Sequence, residues 1–364
     1  MKRRLYLIGN IFQQNQALQA YILRSIETGG AKVDTIEFFD EADREFFSEL
    51  EYRTKYKNQI YVVTHKKSFT LVGKLLCTLL DDKLVLKGSS LIPSSCETHD
   101  GENYLVNIGE SVINVITVQE SAAMTTPLLS SSDAEETLHF FEHPIKEVIA
   151  ILRPLAKQFD VNLTFSQLVE HWVEVKVTCN TYGSTHKFLA IAKERYPAHV
   201  IVSDDLVRHI IDKCVKSDRK VTLAESCTGG LLAYYFTSHS GVSSIFEGSL
   251  VTYSNILKEN WLAVENSTLV EHGAVSEALV KEMCEGALAI ANADYALAIS
   301  GVAGPDGGTS EKPVGTVVIG CASKHSSKIV TCHFEGDRKY IQQQSALTAL
   351  KMLVLGDKKV FFRN

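Results

Sequence analysis

The sequence lacks the features that mark secreted, membrane-spanning and nucleic-acid-binding proteins. Its eight cysteines are scattered through 364 residues without a Cys-x-x-Cys pair, which argues against a zinc or dithiol site and for reduced, intracellular thiols. No apolar run approaches roughly 18 residues, and the basic opening Met-Lys-Arg-Arg precedes only a short apolar run, so we expect neither a membrane span nor a signal peptide. Basic residues number 37 against 43 acidic, a net charge of −6, which disfavours direct nucleic-acid binding. These absences predict a cytoplasmic protein.

The composition favours a folded protein with more than one domain. Hydrophobic residues make up 45% of the chain and charged residues 22%, which excludes a disordered scaffold. At about 100 to 200 residues per domain, the length predicts two or three domains. Strand-like and helix-like segments alternate over residues 1–160 and again over 204–364, and this alternation predicts largely parallel sheets covered by helices. Residues 161–203 are predicted to form a small αβ unit that packs against a neighbour, because so few residues barely make a core.

One helix is predicted across the end of the first domain. A Ser-rich stretch at 129–133 leads into an apolar periodic segment that we expect to be helical to about Phe159. Pro154 lies within this segment and is predicted to bend the helix or to split it in two.

The first candidate site is a turn between a predicted strand and a predicted helix, with the sequence Ala-Glu-Ser-Cys-Thr-Gly-Gly. The first N–H groups of a helix have no partners within it and carry the positive end of its dipole, so such a turn suits an anion. That anion is either a phosphate or the oxyanion of an acyl-transfer intermediate. Ser226 occupies the position of a nucleophile, although a helix N-cap with packed glycines is an alternative explanation of the same sequence.

A second segment supplies candidates for the base that a serine nucleophile needs. Tyr253 closes a predicted strand and Lys258 follows five residues later, and a desolvated lysine or a Tyr–Lys pair can accept a proton from serine. His272 is the best placed histidine of this domain, but it is expected to end a loop before a helix. Tyr253 has the alternative of being an ordinary strand residue.

Two further segments predict a place where a ligand approaches the backbone closely and a cationic side chain that could bind a phosphate. The stretch Ser300-Gly-Val-Ala-Gly-Pro-Asp-Gly-Gly-Thr309 is rich in glycine beside a strand end, where open α/β sheets bind ligands. It is neither a Walker loop nor a Rossmann fingerprint, and a structural turn is the alternative. Arg338 stands before the last predicted helix and is a candidate phosphate clamp.

Taken together, these segments resemble a known family. The motifs Ala-Glu-Ser-Cys-Thr-Gly-Gly, Tyr-Ser-Asn-x-x-Lys, His-Gly-Ala-Val-Ser, Gly-x-Ala-Gly-Pro-Asp-Gly-Gly-Thr and Gly-Asp-Arg are similar in order and spacing to the C-terminal amidohydrolase domain of the CinA family, over about residues 205–356. The resemblance implies hydrolysis of nicotinamide mononucleotide to nicotinate mononucleotide and ammonia, without a metal or other cofactor. It implies Ser226 as nucleophile with Tyr253 and Lys258 as activating partners. The substrate-binding residues that it implies or that the motifs suggest are Cys227, Thr228, Gly229, Gly230, Ser300, Gly304, Gly307, Gly308 and Arg338.

The resemblance also predicts architecture and partners. It implies two three-layer α/β/α domains with mixed, mostly parallel sheets, at 1–160 and 204–364, joined by a small αβ linker domain at 161–203. A homodimer or higher homo-oligomer is expected, with a small-molecule substrate. Gln342 stands where the family often has Arg, which leaves one phosphate or structural contact open. We favour the oxyanion for the amides near Cys227–Gly230 and the phosphate for the Gly304–Gly308 loop with Arg338, although sequence does not decide between the two.

The N-terminal domain resembles the molybdopterin-binding-like domain of the family only in a degenerate form. The place of its phosphate-binding glycine loop reads His65-Lys-Lys-Ser-Phe-Thr, and the later Pro-Gly stretch reads Thr117-Val-Gln-Glu-Ser-Ala-Ala-Met. We therefore predict that the ADP-ribose pyrophosphatase activity of some family members is lost. The remaining alternative for the whole chain is a catalytically silent regulatory or competence-related binding protein.

Overall fold

The chain folds into two compact units, Met1–Glu135 and Glu136–Asn364. The computed structural model describes residues 2–28, 32–41, 43–119, 124–129, 135–180 and 182–363. Most of the Ser-rich stretch at 129–133, and positions 120–123 of the segment that begins at Thr117, lie outside the described residues.

The first unit is a six-stranded sheet with helices on both faces. Its strand order is β2-β1-β3-β8-β7-β6, with three parallel and two antiparallel neighbour pairs. One apolar core includes Phe46 and Val72, and a second, on the other face, includes Phe12 and Ile22. In chain order the elements are β1 (Lys2–Ile8), α1 (Asn10–Gln14), α2 (Gln16–Glu27), β2 (Thr35–Phe39), α3 (Arg44–Arg53), β3 (Asn58–His65), α4 (Lys66–Leu80), β4 (Leu84–Lys87), β5 (Ser90–Pro93), β6 (Thr98–Asp100), β7 (Asn103–Ile108) and β8 (Ser111–Val118).

Strand β3 runs directly into helix α4 in this unit. The helix begins at Lys66, and the His65 side chain caps it by accepting a hydrogen bond from the Lys67 amide. No loop therefore separates strand from helix at the position where the family resemblance places a phosphate-binding glycine loop.

The second unit begins with a small four-stranded sheet, in the order β10-β11-β9-β12. Helices α5 and α6 cover one face, around Leu152 and Phe188. The other face contributes Phe141 and Trp172 to the core of the next sheet, so this layer does pack on a neighbour as expected. Its elements are β9 (Glu136–Phe141), α5 (Ile145–Phe159), β10 (Val161–Val169), β11 (Trp172–Cys179), α6 (Thr185–Arg195) and β12 (Val200–Val202).

This layer corrects one prediction made from the sequence and decides between two alternatives of another. Residues 136–141 form a strand instead of the start of a helix. Helix α5 continues across Pro154, so the predicted split does not occur. Because β9 pairs with both β11 and β12, the small αβ layer includes residues 136–159, and the boundary predicted at 160 falls inside it.

The remaining residues form a five-stranded sheet between two helical layers, in the order β14-β13-β15-β16-β17. Strands β14, β13 and β15 are parallel, whereas β16 and β17 are antiparallel to their neighbours. Apolar cores lie on both faces, so the predicted three-layer α/β class with mixed sheets is confirmed. The elements are α7 (Leu206–Ser217), β13 (Val221–Glu225), α8 (Leu231–Thr237), β14 (Phe246–Val251), α9 (Asn255–Leu262), α10 (Asn266–His272), α11 (Glu277–Ala291), β15 (Tyr295–Gly301), β16 (Thr316–Ser323), β17 (Ser327–His333), α12 (Arg338–Gly356) and α13 (Lys358–Phe361).

Candidate active site

The motifs of the second unit converge where its three parallel strands end. Strand β13 is followed by Ser226, β14 by Tyr253 and the helix that carries Lys258, and β15 contains Ser300 near its end. Parallel strands bring their carboxyl ends to the same edge, where open α/β sheets bind ligands. A cleft of about 270 Å³ opens there, lined by Ser226, Cys227, Tyr253, Asn255, Lys258, Ala274, Val275, Ser300, Gly301, Val302, Ala303, Gly304, Asp306, Gly307 and Arg338.

Ser226 and Lys258 form the central contact of this cleft. Lys258 Nζ lies 3.1 Å from Ser226 Oγ, 2.8 Å from the Thr252 carbonyl oxygen and 3.3 Å from that of Tyr253. The lysine side chain is only 1% exposed, and Ser226 is buried as well. Among the described residues no carboxylate lies within ion-pair distance of Lys258. Burial without a counter-ion lowers the pKa of Lys258 from its usual value, because desolvation penalises the ammonium form.

The three neighbours of Lys258 Nζ can each accept an N–H of the ammonium, and they can also serve the neutral amine. A neutral amine has two N–H donors and one lone pair. The two carbonyl oxygens can take the two N–H groups, which leaves the lone pair for the hydroxyl hydrogen of Ser226. In this arrangement the hydroxyl donates to the amine, as a nucleophile does to its general base.

Cys227 follows the serine but lacks the properties of a nucleophile. Its side chain is 5% exposed, and burial raises the pKa of its thiol to about 12. A thiol nucleophile reacts as the thiolate, so this one stays protonated and unreactive near neutral pH.

The structure places the Tyr253 side chain away from the Ser226–Lys258 contact. The ring is 61% exposed, and its hydroxyl accepts a hydrogen bond from Arg338 Nη2 at 3.1 Å. Only the backbone carbonyl of Tyr253 touches the lysine. The predicted Tyr–Lys pair is therefore not formed by the phenol, although Tyr253 and Arg338 both line the cleft.

Ser300 and the glycine-rich loop form the opposite wall. Ser300 is buried, and its hydroxyl donates to the Ala274 carbonyl at 2.6 Å, so the motif that precedes α11 holds this serine. Arg338 Nη1 donates to the Gly304 carbonyl at 2.7 Å, which ties the loop to the start of α12. Gly304 has a φ of +78°, and a Cβ there would lie 2.5 Å from Val314, so the loop requires glycine.

Part of the Ser-x-Thr-Gly-Gly turn is used inside the protein, contrary to the prediction. The Gly229 amide donates to the Ser226 carbonyl, and the Gly230 amide donates to the Glu225 carboxylate at 3.0 Å. Neither glycine lines the cleft, and Thr228 is buried beside it. The two glycine amides are used within the turn, so they are not available as direct donors in the way we expected. Gly308 likewise belongs to the loop without lining the cleft.

Sequence reasoning missed several residues of the site. Glu225 is fully buried next to Ser226, and Asn255 and Asp306 line the cleft. Gln342 donates to the Cys227 carbonyl at 2.7 Å, so the residue that departs from the family pattern holds the turn. A charged residue that closes a buried strand, as Glu225 does, was a visible signal, and Asn255 and Asp306 lie within the quoted motifs.

The described residues contain neither a candidate metal cluster nor a membrane-spanning helix. No group of three or more His, Cys, Asp or Glu side chains there could hold a metal ion. No helix within the described ranges is both long and apolar enough to cross a bilayer.

Comparisons with known proteins agree in pointing to one family. The family model of the CinA C-terminal domain matches residues 203–355, which include every residue of the cleft. A CinA-like protein of Thermosipho melanesiensis is 33% identical over 290 residues, covering 74% of this chain and 69% of the relative. A CinA-like protein of Fervidobacterium nodosum is 44% identical over 159 residues, 43% of this chain but only 39% of that protein. The nicotinamide-nucleotide amidohydrolase PncC of Escherichia coli strain K12 is 50% identical over 134 residues, 36% of this chain and 81% of that protein.

Proposed function

The chain belongs to the CinA family, and from that premise we propose that its second unit is a nicotinamide mononucleotide deamidase. The observation that carries the proposal is the 3.1 Å contact between Ser226 Oγ and a buried lysine amine that has no carboxylate partner within the described residues. Such a pair can break an amide bond by acyl transfer, and the substrate class follows from the amidohydrolase relatives.

In the first half of the proposed reaction the serine is acylated. Ser226 Oγ attacks the carboxamide carbon while its proton passes to Lys258 Nζ. The carbonyl oxygen becomes an oxyanion. The C–N bond then breaks, and the leaving nitrogen takes the proton from Lys258 and departs as ammonia. An ester between Ser226 and the nicotinoyl nucleotide remains.

The second half repeats the same chemistry with water. Lys258 takes a proton from a water molecule that attacks the ester carbon, and the collapse of the second tetrahedral intermediate returns that proton to Ser226 Oγ. Nicotinate mononucleotide leaves as the acid. One lysine thus acts as base and acid in both halves, and no further proton donor is required.

The phosphate of the substrate is assigned to the glycine-rich loop and Arg338. Among the described residues, the N–H groups of positions 303, 304 and 306–308 have no hydrogen-bond acceptor. Together with the Arg338 guanidinium beside them, these amides suit an anionic oxygen.

The test is an assay of the full chain on nicotinamide mononucleotide and on nicotinamide, with and without a chelator. We expect stoichiometric ammonia and nicotinate mononucleotide, at least about 100-fold lower kcat/KM on nicotinamide, which lacks the phosphate, and no effect of the chelator. An inactive wild-type chain would refute the proposal and favour the regulatory alternative.

A further inference from the structure

Backbone N–H groups in the nucleophile turn are almost completely used inside the protein. From Ser226 to Ala233, the Ser226 amide donates to the Ile299 carbonyl, and the amides of 229 and 231 donate to carbonyls of the turn. The amides of 230, 232 and 233 donate to the Glu225 carboxylate. Within the described residues only the amides of Cys227 and Thr228 are left without an acceptor. Unpaired buried N–H groups are rare, so these two amides are candidate donors to a substrate atom.

Glu225 is the residue that accepts hydrogen bonds from three of these amides. It is 0% exposed, and each carboxylate oxygen accepts two hydrogen bonds. Oε2 accepts from Gly230 and Leu232 at 3.0 and 3.1 Å, and Oε1 accepts from Ala233 at 2.9 Å and from the Ser249 hydroxyl at 3.0 Å. All four of these partners are hydrogen-bond donors. It occupies the start of α8 as a bound anion would.

The two free amides have fixed orientations. In a trans peptide the N–H points opposite to the C=O of the same unit. The Ser226 carbonyl accepts from the Gly229 amide, which sets the Cys227 N–H, and the Cys227 carbonyl accepts from Gln342, which sets the Thr228 N–H. Both peptide planes are therefore anchored from the carbonyl side.

We propose that Glu225 is a positioning residue that, by tying the start of α8 to its own carboxylate, fixes the Cys227 and Thr228 amides as the oxyanion donors for attack by Ser226. This inference rests on the proposed function. It also excludes the start of α8 as the phosphate site, because the Glu225 carboxylate already occupies its amides, and so leaves the phosphate to the glycine-rich loop.

The test compares Glu225→Gln with wild type, and with Ser249→Ala as a matched control. The glutamine keeps the shape but presents an N–H₂ group to two of the donors. We expect kcat on nicotinamide mononucleotide to fall by about 100-fold or more, the usual effect of losing an oxyanion donor, with KM within about threefold and an unshifted pH profile. Ser249→Ala removes one donor to the same carboxylate and none of the amides, so its kcat is expected to stay within about threefold.

A second readout separates this inference from the proposed function. A phosphonofluoridate probe reacts with an activated serine as the Oγ–P bond forms, the P–F bond breaks and the proton passes to Lys258. Mass spectrometry of the Ser226 peptide measures that rate even if the assumed substrate is wrong. Slower labelling in folded Glu225→Gln supports positioning. Three results would overturn the proposal. One is a wild-type kcat and labelling rate in Glu225→Gln, and another is a rise in KM as large as the fall in kcat. The third is failure of both Glu225→Gln and Glu225→Asp to fold.

Discussion

At Lys258 the local surroundings oppose the charge that lysine normally carries. Burial disfavours the ammonium, and the nearest polar atoms are two carbonyl oxygens and a hydroxyl instead of a carboxylate. The direction of the pKa shift is therefore downward, which increases the fraction of neutral amine near physiological pH. A lysine with this environment is suited to the role of base.

The pH dependence of the reaction tests that role. Because the neutral amine is the active form in the proposed mechanism, kcat/KM should fall as pH drops below the pKa of Lys258, by tenfold per pH unit. Lys258→Arg keeps the charge but cannot deprotonate, so it should lose at least about 100-fold in kcat. Lys281→Met, at an exposed lysine paired with Glu285, serves as the control and should leave both the rate and its pH profile unchanged. A wild-type profile in Lys258→Arg would contradict the assignment.

The sequence predicted some of these residues better than others. Ser226 and Lys258 were predicted because a serine in a strand-to-helix turn needs a nearby base and because their motifs resemble those of the CinA family, and the structure brings them together. The position of the Tyr253 phenol could not be predicted, because a residue at a strand end can face the base or the solvent. Its contact with Arg338 joins segments that are 85 residues apart.

At the scale of elements, the strands that were missed differ in the physical reason. Strand β9 is central in its sheet and buried on both faces, so Glu136–Phe141 lacks the alternation of a half-buried strand. Strand β17 is an edge strand with little buried surface and gives a weak signal. Strand β10 does alternate, at Val161, Leu163 and Phe165, and this pattern was available in the sequence.

Strand β9 also carries a buried histidine that makes stability depend on pH. His139 is 2% exposed, and its Nδ1 accepts a hydrogen bond from the Trp172 indole at 3.2 Å. Burial, with His209 nearby, lowers the pKa of His139 to about 4 from 6.5. The unfolded chain therefore binds the proton first, so stability is present above about pH 6.5 and is lost as pH falls toward 4, by roughly 3 kcal/mol in all.

Replacement of this histidine should remove that dependence. In His139→Gln, we expect the free energy of unfolding of the second unit in urea to vary by at least about 1 kcal/mol less between pH 7 and pH 4.5 than in wild type. The matched variant His186→Gln, at an exposed position of α6, should behave as wild type. An equal change of the unfolding free energy with pH in all three proteins would show that His139 does not titrate as its burial implies.

At the scale of the whole molecule, the residues of the proposed chemistry all lie in the second unit. The first unit keeps the α/β layers of its class, but its strand β3 enters α4 without a loop, and His65 caps the helix. The general class of both units followed from the alternation of strands and helices. The boundary between the two units did not follow from this alternation, because β9 precedes α5 in the chain yet pairs in the sheet of the second unit.

The first unit is therefore predicted to be inactive as a nucleotide pyrophosphatase. Incubation of the full chain with ADP-ribose and Mn²⁺ or Co²⁺ should release no AMP. The reason is that the helix begins directly after β3, so the junction has no glycine loop to bind a phosphate. Ammonia release from nicotinamide mononucleotide by the same sample shows that the second unit is folded and active. Metal-dependent AMP formation would contradict this prediction.

The most direct measurement for the account is ammonia release by Ser226→Ala, with Ser267→Ala as a control at an exposed serine that bonds to Glu265. Since the Ser226 oxygen is the attacking atom in the proposed mechanism, the alanine variant should fold normally and retain less than about 0.1% of wild-type kcat, while the control keeps full activity. Substantial ammonia release by folded Ser226→Ala would contradict the account, because another group or water alone would then break the amide.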